Sequence, residues 1–287
     1  MPKIGMSSTA IILEPWINAL KIAAENGFEA FEVSCVYPSV DTDNPTQNVI
    51  AEARKVIEKS GIEICVHAPF YELNIAAYSR GIREESVRLI KNSIDLCEKL
   101  GGKTLIAHTG TYTYKTPPGG SDAYHTGTKI QQDYNIESLK KINNYANSKG
   151  ITVCLENIGL EPNSIDQSFE DLIEIRKSVG STLQFTLDLG HARLTEGAEK
   201  GILLLGDNIR HIHLTDNHGE KDDHLTVGDG NYDYSGFIDF LKNFPYVITL
   251  EVVEVSTDPG PVLRGRNALN NLLKNLYYKN INMSTHI

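Results

Sequence analysis

Short strand-like apolar runs alternate with longer amphipathic runs eight times along this chain, and that regularity constrains its fold more than any other feature. The strand-like runs fall at residues 3–7, 28–33, 62–67, 104–108, 151–156, 183–188, 209–215 and 247–252. Between them, helical periodicity runs from Pro15 to about Asn26, then over 49–59, 84–100, 134–149, 169–179, 198–205, 237–244 and 262–276. Gly27, Gly61, Gly101, Gly150 and Gly180 follow five of the helical runs, where a left-handed residue closes a helix. Strict alternation implies a parallel sheet. Eight units with no surplus strand favour a closed single (β/α)8 TIM barrel of the α/β class, and no GxGxxG follows the first strand. The reading places the barrel over 1–279 as one domain, with 280–287 as a flexible tail.

A 287-residue chain with 40% hydrophobic and 22% charged residues can fill such a core. No apolar run approaches the roughly 20 residues of a membrane span, and residues 1–5 enter a strand directly, so neither a membrane nor a secretory leader is expected. Cys35, Cys65, Cys97 and Cys154 form no CxxC pair, and we read them as reduced thiols in a cytoplasmic protein. A net charge of −10 counts against a nonspecific nucleic-acid binder.

Six consecutive strands end in the same chemistry: His67, His108, Glu156, Asp188 with His191 three residues on, His213, and Glu251. In a (β/α)8 barrel these ends converge on one mouth. Carboxylates gathered there repel one another and lose hydration, and a divalent cation relieves both. Mixed imidazole and carboxylate donors suit Zn, Mn, Fe or Co, not the all-oxygen shell of Mg or Ca. Each residue alone is as well explained by a structural hydrogen bond; the recurrence on six strands is what points to metal. Glu32 reads as either a support for a ligand or an ion-pair partner, and His211 as a support one layer below His213. His125 suits a lid or the surface, and His218 and His286 are bystanders. The long loops 110–131 and 216–234 lie on the same strand-to-helix face.

The segments His67-Ala-Pro-Phe-Tyr-Glu-Leu-Asn, His108-Thr-Gly, Leu155-Glu156-Asn157, Asp188-Leu-Gly-His191, His213-Leu-Thr-Asp216 and Asp223-His224-Leu-Thr-Val-Gly-Asp-Gly230 resemble the xylose-isomerase-like barrel superfamily over nearly the whole chain. That superfamily includes sugar-phosphate isomerases and epimerases, inosose dehydratases and endonuclease IV. The resemblance implies a metal core of Glu156, Asp188, His213 and Glu251, with Glu156 and Glu251 also the catalytic acid and base beside a carbonyl. His67, His108, His191, Asp222 and His224 then bind either further metal or substrate, because the endonuclease IV pattern uses all nine positions for three zinc ions. Phe70, Tyr71, Tyr112, Tyr114 and Tyr124 are expected to enclose a ring. Lys115, Arg193, Lys221 and Arg264, with Arg80 behind them, are the cations able to approach the mouth, and Arg193 is the one expected to touch substrate.

Two departures separate the branches. The arginine that ketose epimerases carry shortly after the strand-seven histidine is missing from Leu214-Thr-Asp-Asn-His-Gly-Glu220, and the stretches 22–53, 68–79 and 157–167 contain no Lys or Arg with which to grip a phosphodiester backbone. The expectation is therefore an enzyme: a metal-dependent sugar or sugar-phosphate isomerase or epimerase, or a related cyclitol lyase. It would use one to three divalent ions, zinc or manganese foremost. Its partner is a small-molecule sugar or cyclitol, not nucleic acid, and oligomerisation is left open. The alternatives are an endonuclease IV-like zinc phosphodiesterase acting on abasic DNA, and a non-catalytic metal- or ligand-binding barrel.

Overall fold

The computed structural model describes residues 1–36, 39–113, 121–158 and 163–283, side chains within 121–126 and 275–283 excepted. Eight parallel strands close in chain order: β1 (Lys3–Ser7), β2 (Ala30–Ser34), β3 (Glu63–His67), β4 (Thr104–Ala107), β5 (Thr152–Glu156), β6 (Gln184–Asp188), β7 (Ile209–Leu214) and β8 (Val247–Leu250), with β8 pairing back to β1. Around them lie α1 (Trp16–Glu25), α2 (Gln47–Ser60), α3 (Arg80–Lys99), α4 (Ser121–Ser148), α5 (Phe169–Val179), α6 (Leu189–Leu194), α7 (Ala198–Leu205), α8 (Ile238–Asn243) and α9 (Gly260–Met283). The expected (β/α)8 architecture is the observed one. No helix among the described residues is long and apolar enough to cross a membrane.

The two faces of each strand explain where the core and the site sit. Side chains alternate across a strand. Met6, Phe31, Val33, Ile64, Val66, Leu105, Val153, Leu155, Phe185, Leu187, Ile212 and Leu250 belong to the large apolar cluster shared with the helices. Phe31, Phe185 and Met6 are fully enclosed, each contributing on the order of 1.5–3 kcal/mol by burial. The other parity points into the barrel. There Ala30, Cys65, Ile106 and Val247 form a small separate plug. Gly5 lies at this level, where a Cβ would stand a tight 3.1–3.3 Å from Thr249, Val247 and Ala30. One step further along the inward parity the residues turn polar: Glu32, Thr186, His211 and Thr249, then Glu156, Asp188 and His213, all buried.

Three elements depart from the sequence reading. Helix α4 begins at Ser121, not near residue 134, so much of the loop expected over 110–131 is helical, and 114–120 lie outside the described residues. Its first turns are rich in Ser, Thr and Gly and show no apolar stripe. Tertiary contacts compensate: the buried Gln131 amide donates to Ala76 O at 3.0 Å, overriding weak propensity. Helix α6 was not anticipated; it starts directly after Asp188. Helix α9 continues to Met283, into the residues expected to be loose, and 284–287 lie outside the described residues.

Candidate metal centre

The nine residues singled out at the strand ends and in the loop after β7 come together. Three donor groups form among them: His67, His108 and Glu156; Glu156, Asp188, His213 and Glu251; and His191, Asp222 and His224. Within each group the donor atoms lie within 4.8 Å of one another, and Glu156 joins the first group to the second. Register accounts for part of this, because Asp188 on β6 stands directly opposite His213 on β7.

Glu156 is the hub. Its Oε2 accepts from His67 Nε2 and His108 Nε2, each at 3.1 Å, and its Oε1 accepts from His213 Nδ1 at 3.0 Å. His213 Nδ1 also faces Glu251 Oε2 at 3.2 Å and Asp188 Oδ2 at 3.8 Å. In the third group, Asp222 Oδ2 accepts from His191 Nε2 at 3.0 Å and lies 2.8 Å from His224 Nε2.

The far nitrogens are equally ordered. His67 Nδ1–H donates to Ala68 O at 2.8 Å, His191 Nδ1–H to Asn157 O at 2.8 Å, and His224 Nδ1–H to Glu251 O at 3.1 Å. Each of these imidazoles is therefore anchored on a carbonyl and presents Nε2 to its group, the tautomer a metal ligand requires. Two carboxylate oxygens in these groups, Asp188 Oδ2 and Asp222 Oδ1, are buried without a hydrogen-bond partner. Buried acceptors normally find partners, so unpaired oxygens beside converging imidazoles fit a cation. The donor set suits zinc, manganese or iron better than calcium or magnesium.

The titration of these groups follows from geometry. Burial pushes the Glu156 carboxyl up, but the His213 charge and the imidazole hydrogen bonds outweigh it and hold it well below the usual range. Asp188 moves the other way, to about 6, through burial and the charges of Glu156 and Glu251. Burial opposes charging His213, but Glu251, Glu32 and Glu156 raise it well above 6.5. His224 is raised to about 9 against its burial by the bond to Asp222 and the charge of Glu251. His108 goes down, because burial prevails over its bond to Glu156. In the metal-free protein, protons on imidazoles thus stand where cations would balance the carboxylates.

Local structure holds the donors in place. Asp188 Oδ1 caps α6 by accepting His191 N at 2.6 Å, which fixes the i, i+3 pair. Gly190 is obligatory between them, since a Cβ there would run into Thr215 Oγ1. Asn157, whose part the sequence did not disclose, brackets Asp188: its Oδ1 accepts Asp188 N at 2.8 Å and its Nδ2 donates to Asp188 O at 3.0 Å. Asp216 orders the loop that carries Asp222 and His224, accepting from Asn217, Gly228 and Tyr232 N at 2.9–3.0 Å. Among the described residues, two non-glycine residues have positive φ, Glu72 (60°) and His224 (46°), and both line the main cavity. Backbone strain of this kind concentrates at functional sites.

That cavity holds about 550 Å³, within the range of small-molecule sites. Its walls include His67, His108, Glu156, His191, Asp222, His224 and Glu251. Phe70 and Tyr71 line it as expected, with the Phe70 ring 4.7 Å from that of His108. Other expected contacts fall elsewhere. Tyr112 packs on the core and its hydroxyl accepts from Gln132 at 2.8 Å. Arg193 is consumed by the loop after β7: it donates to Asn217 O at 2.7 Å and to Asn231 Oδ1, and stacks 4.8 Å from the Tyr232 ring. Lys221, Arg264 and Arg80 pair with Asp223, Asp229 and Glu84. Tyr114 and Lys115 lie outside the described residues, as do the side chains of Tyr124 and His125. All four cysteines are buried and unpaired.

Fold and site together define a (β/α)8 barrel with a clustered histidine–carboxylate centre at the C-terminal ends of its strands. The chain belongs to the xylose isomerase-like TIM barrel family, whose model matches residues 20–272. An uncharacterised protein of Methanocaldococcus jannaschii is 29% identical over 87% of this chain and 83% of its own. The protein named "Probable endonuclease 4" of Thermotoga sp. (strain RQ2) is 27% identical over 69% and 71%. A crystal structure of a D-tagatose 3-epimerase-like protein superposes with a TM-score of 0.80 at 26% identity, covering 96% of this chain and 99% of that one.

Proposed function

We propose that this chain is a metal-dependent sugar isomerase or epimerase that moves a proton at a carbon next to a carbonyl. One observation carries the reading. Two buried carboxylates, Glu156 at the end of β5 and Glu251 just past β8, reach the same imidazole nitrogen from well-separated strands, and both line the cavity. A divalent ion held by Glu156, Asp188, His213 and Glu251 would polarise the substrate oxygens beside the reacting carbon. Glu251 is the candidate base: it faces the cavity and accepts fewer hydrogen bonds than Glu156. A proton for the opposite face would come from the Glu156–His108 pair. Phe70 and Tyr71 would lie against the sugar, and His67, His191, Asp222 and His224 would hold its hydroxyls or further ions. The similarity to the tagatose-epimerase-like structure supports a sugar substrate.

A second reading has its own observation. Nine donors in three groups exceed what one ion needs, and a zinc phosphodiesterase acting on abasic DNA would use them all. Metal content and assay separate the two. One ion per chain, with solvent deuterium entering a keto-sugar at the carbon beside its carbonyl, is the outcome expected of the isomerase. About three zinc ions with cleavage of abasic-site DNA would overturn it. A non-catalytic barrel would do neither.

A further inference from the structure

One layer below the mouth lies a polar group with no direct access to the cavity. Glu32 on β2, His211 on β7 and Thr249 on β8 are fully buried, just above the apolar plug of Ala30, Cys65, Ile106 and Val247. The ion-pair partners of Glu32 are two imidazoles: His211 Nε2 at 2.9 Å and His213 Nε2 at 3.2 Å, both on the same oxygen, Oε2. Thr249 Oγ1 lies 3.0 Å from His211 Nε2, and Cys65 Sγ lies 3.9 Å from His211 Nδ1. A carboxylate so deep in a barrel costs stability unless it is well satisfied, which asks what it does there.

The comparison with the other imidazoles answers. His67, His191 and His224 anchor Nδ1–H on backbone carbonyls and present Nε2. His213 is turned round: Nδ1 faces Glu156, Asp188 and Glu251, and Nε2 faces inward. The inward nitrogen must carry its proton if Nδ1 is to offer a lone pair, and that proton needs an acceptor. Glu32 Oε2 is 3.2 Å away. We propose that Glu32 is a positioning residue: by accepting the Nε2–H of His213 it fixes the tautomer and ring orientation that aim Nδ1 at the four-donor group, while His211 holds the same oxygen in place from below. This rests on His213 being a metal ligand. The group Glu32, His211 and His213 could also be taken for an ion site of its own. That would require His213 to give both nitrogens to metal, since its Nδ1 already faces the four-donor group.

The test uses the full chain and zinc alone. Zinc affinity is measured by competition with a chromophoric chelator for the parent, Glu32→Gln, Glu32→Asp and Thr249→Val, with circular dichroism as the check on folding. Glu32→Gln should bind zinc 10- to 100-fold more weakly, the usual effect of losing a partner behind a ligand. Thr249→Val, which removes the hydroxyl bonded to His211 and leaves the strand pairing of Thr249 with His213 in place, should stay within threefold. Histidine 15N spectra of the zinc-loaded parent should show His213 with its proton on Nε2, slow to exchange; in Glu32→Gln that proton should exchange fast or move to Nδ1. A merely structural role would change neither the tautomer nor the exchange. If Glu32→Gln does not fold, Glu32→Asp, which keeps the charge and withdraws the oxygen, must show an intermediate loss. Zinc binding within threefold of the parent and an unchanged tautomer, in whichever of these variants folds, overturn the positioning role alone. A parent that binds no zinc overturns the metal reading and this inference with it.

Discussion

Removing metal from the protein and raising the pH should unfold it more easily, against the common expectation that acid is the threat. His224 supplies the magnitude. In the folded, metal-free chain its pKa is raised to about 9: burial opposes the charge, but the hydrogen bond to Asp222 and the charges of Glu251 and Asp222 prevail. In the unfolded chain the imidazole titrates near 6.5. The folded state binds this proton more tightly, so the stability it contributes is complete below about pH 6.5 and lost as the pH climbs through about 9. A rise from 6.5 to about 9 is worth roughly 3 kcal/mol. His213 and His191 are raised too, and add in the same direction. The opposing groups are His108 and His211, whose pKa values are lowered; their contribution grows as the unfolded imidazoles lose protons around pH 6.5 and is complete by about pH 7.5. Asp188, raised to about 6, acts in the same direction as His224 but mostly below this window. At roughly 2–4 °C per kcal/mol for domains of 150–250 residues, His224 alone implies a fall in melting temperature of about 6–12 °C. The assay is thermal melting of chelator-treated protein between pH 6.5 and 9. Zinc should reverse the trend, because its binding needs the imidazoles deprotonated and strengthens as pH rises. Asp222→Asn should shrink the fall. A melting temperature that stays flat or rises in metal-free protein would refute the reasoning.

Three substitutions probe the rest of the centre. Glu156→Gln removes the acceptor shared by His67, His108 and His213 and should cut turnover at least about 100-fold with an unchanged circular dichroism spectrum. Gly190→Ala drives a Cβ into Thr215 Oγ1 and should cost about 1–3 kcal/mol, read as a lower melting temperature together with weaker zinc binding at Asp188. Arg193→Ala frees the loop after β7 and should cost about 1–3 kcal/mol. Its signature is weaker binding at His191, Asp222 and His224, read as loss of a further ion or as a raised KM for substrate.

The barrel was legible because both faces of its strands carry a period-two signal: Phe31, Val33, Leu105 and Leu187 point outward to the helices while Glu156, Asp188 and His213 point in. The donors were legible because each closes an apolar run. What escaped needed the third dimension. Glu32 and His213 are 181 residues apart, and nothing local to either reveals that one faces the other. The sequence around Arg193 looks like a free cation near the mouth, yet its donors are spent on Asn217 and Asn231, which only the folded loop brings near. Helix α6 is six residues long and contains a glycine, so propensity is silent; its cap is the ligand Asp188 itself.

Metal count and substrate charge are linked, and the link gives a further test. Glu156, Asp188, Glu251 and Asp222 bring four negative charges to the mouth when ionised. One divalent ion leaves two of these to be balanced by protons on the outer imidazoles, a site near neutrality that suits an uncharged sugar. Three divalent ions leave an excess of two positive charges, and the centre then attracts an anion without help from Lys or Arg. The scarcity of basic residues in 22–53, 68–79 and 157–167 argues against a DNA clamp through the backbone at large, but it does not bear on a single phosphate at such a centre. Inorganic phosphate is the probe. Protein loaded with one ion per chain should bind it no better than the metal-free form. Protein loaded with three should bind it, less tightly as salt is added, and lose that binding when His191→Asn or His67→Asn removes an ion. Phosphate binding that is indifferent to the number of ions would break the link between count and charge.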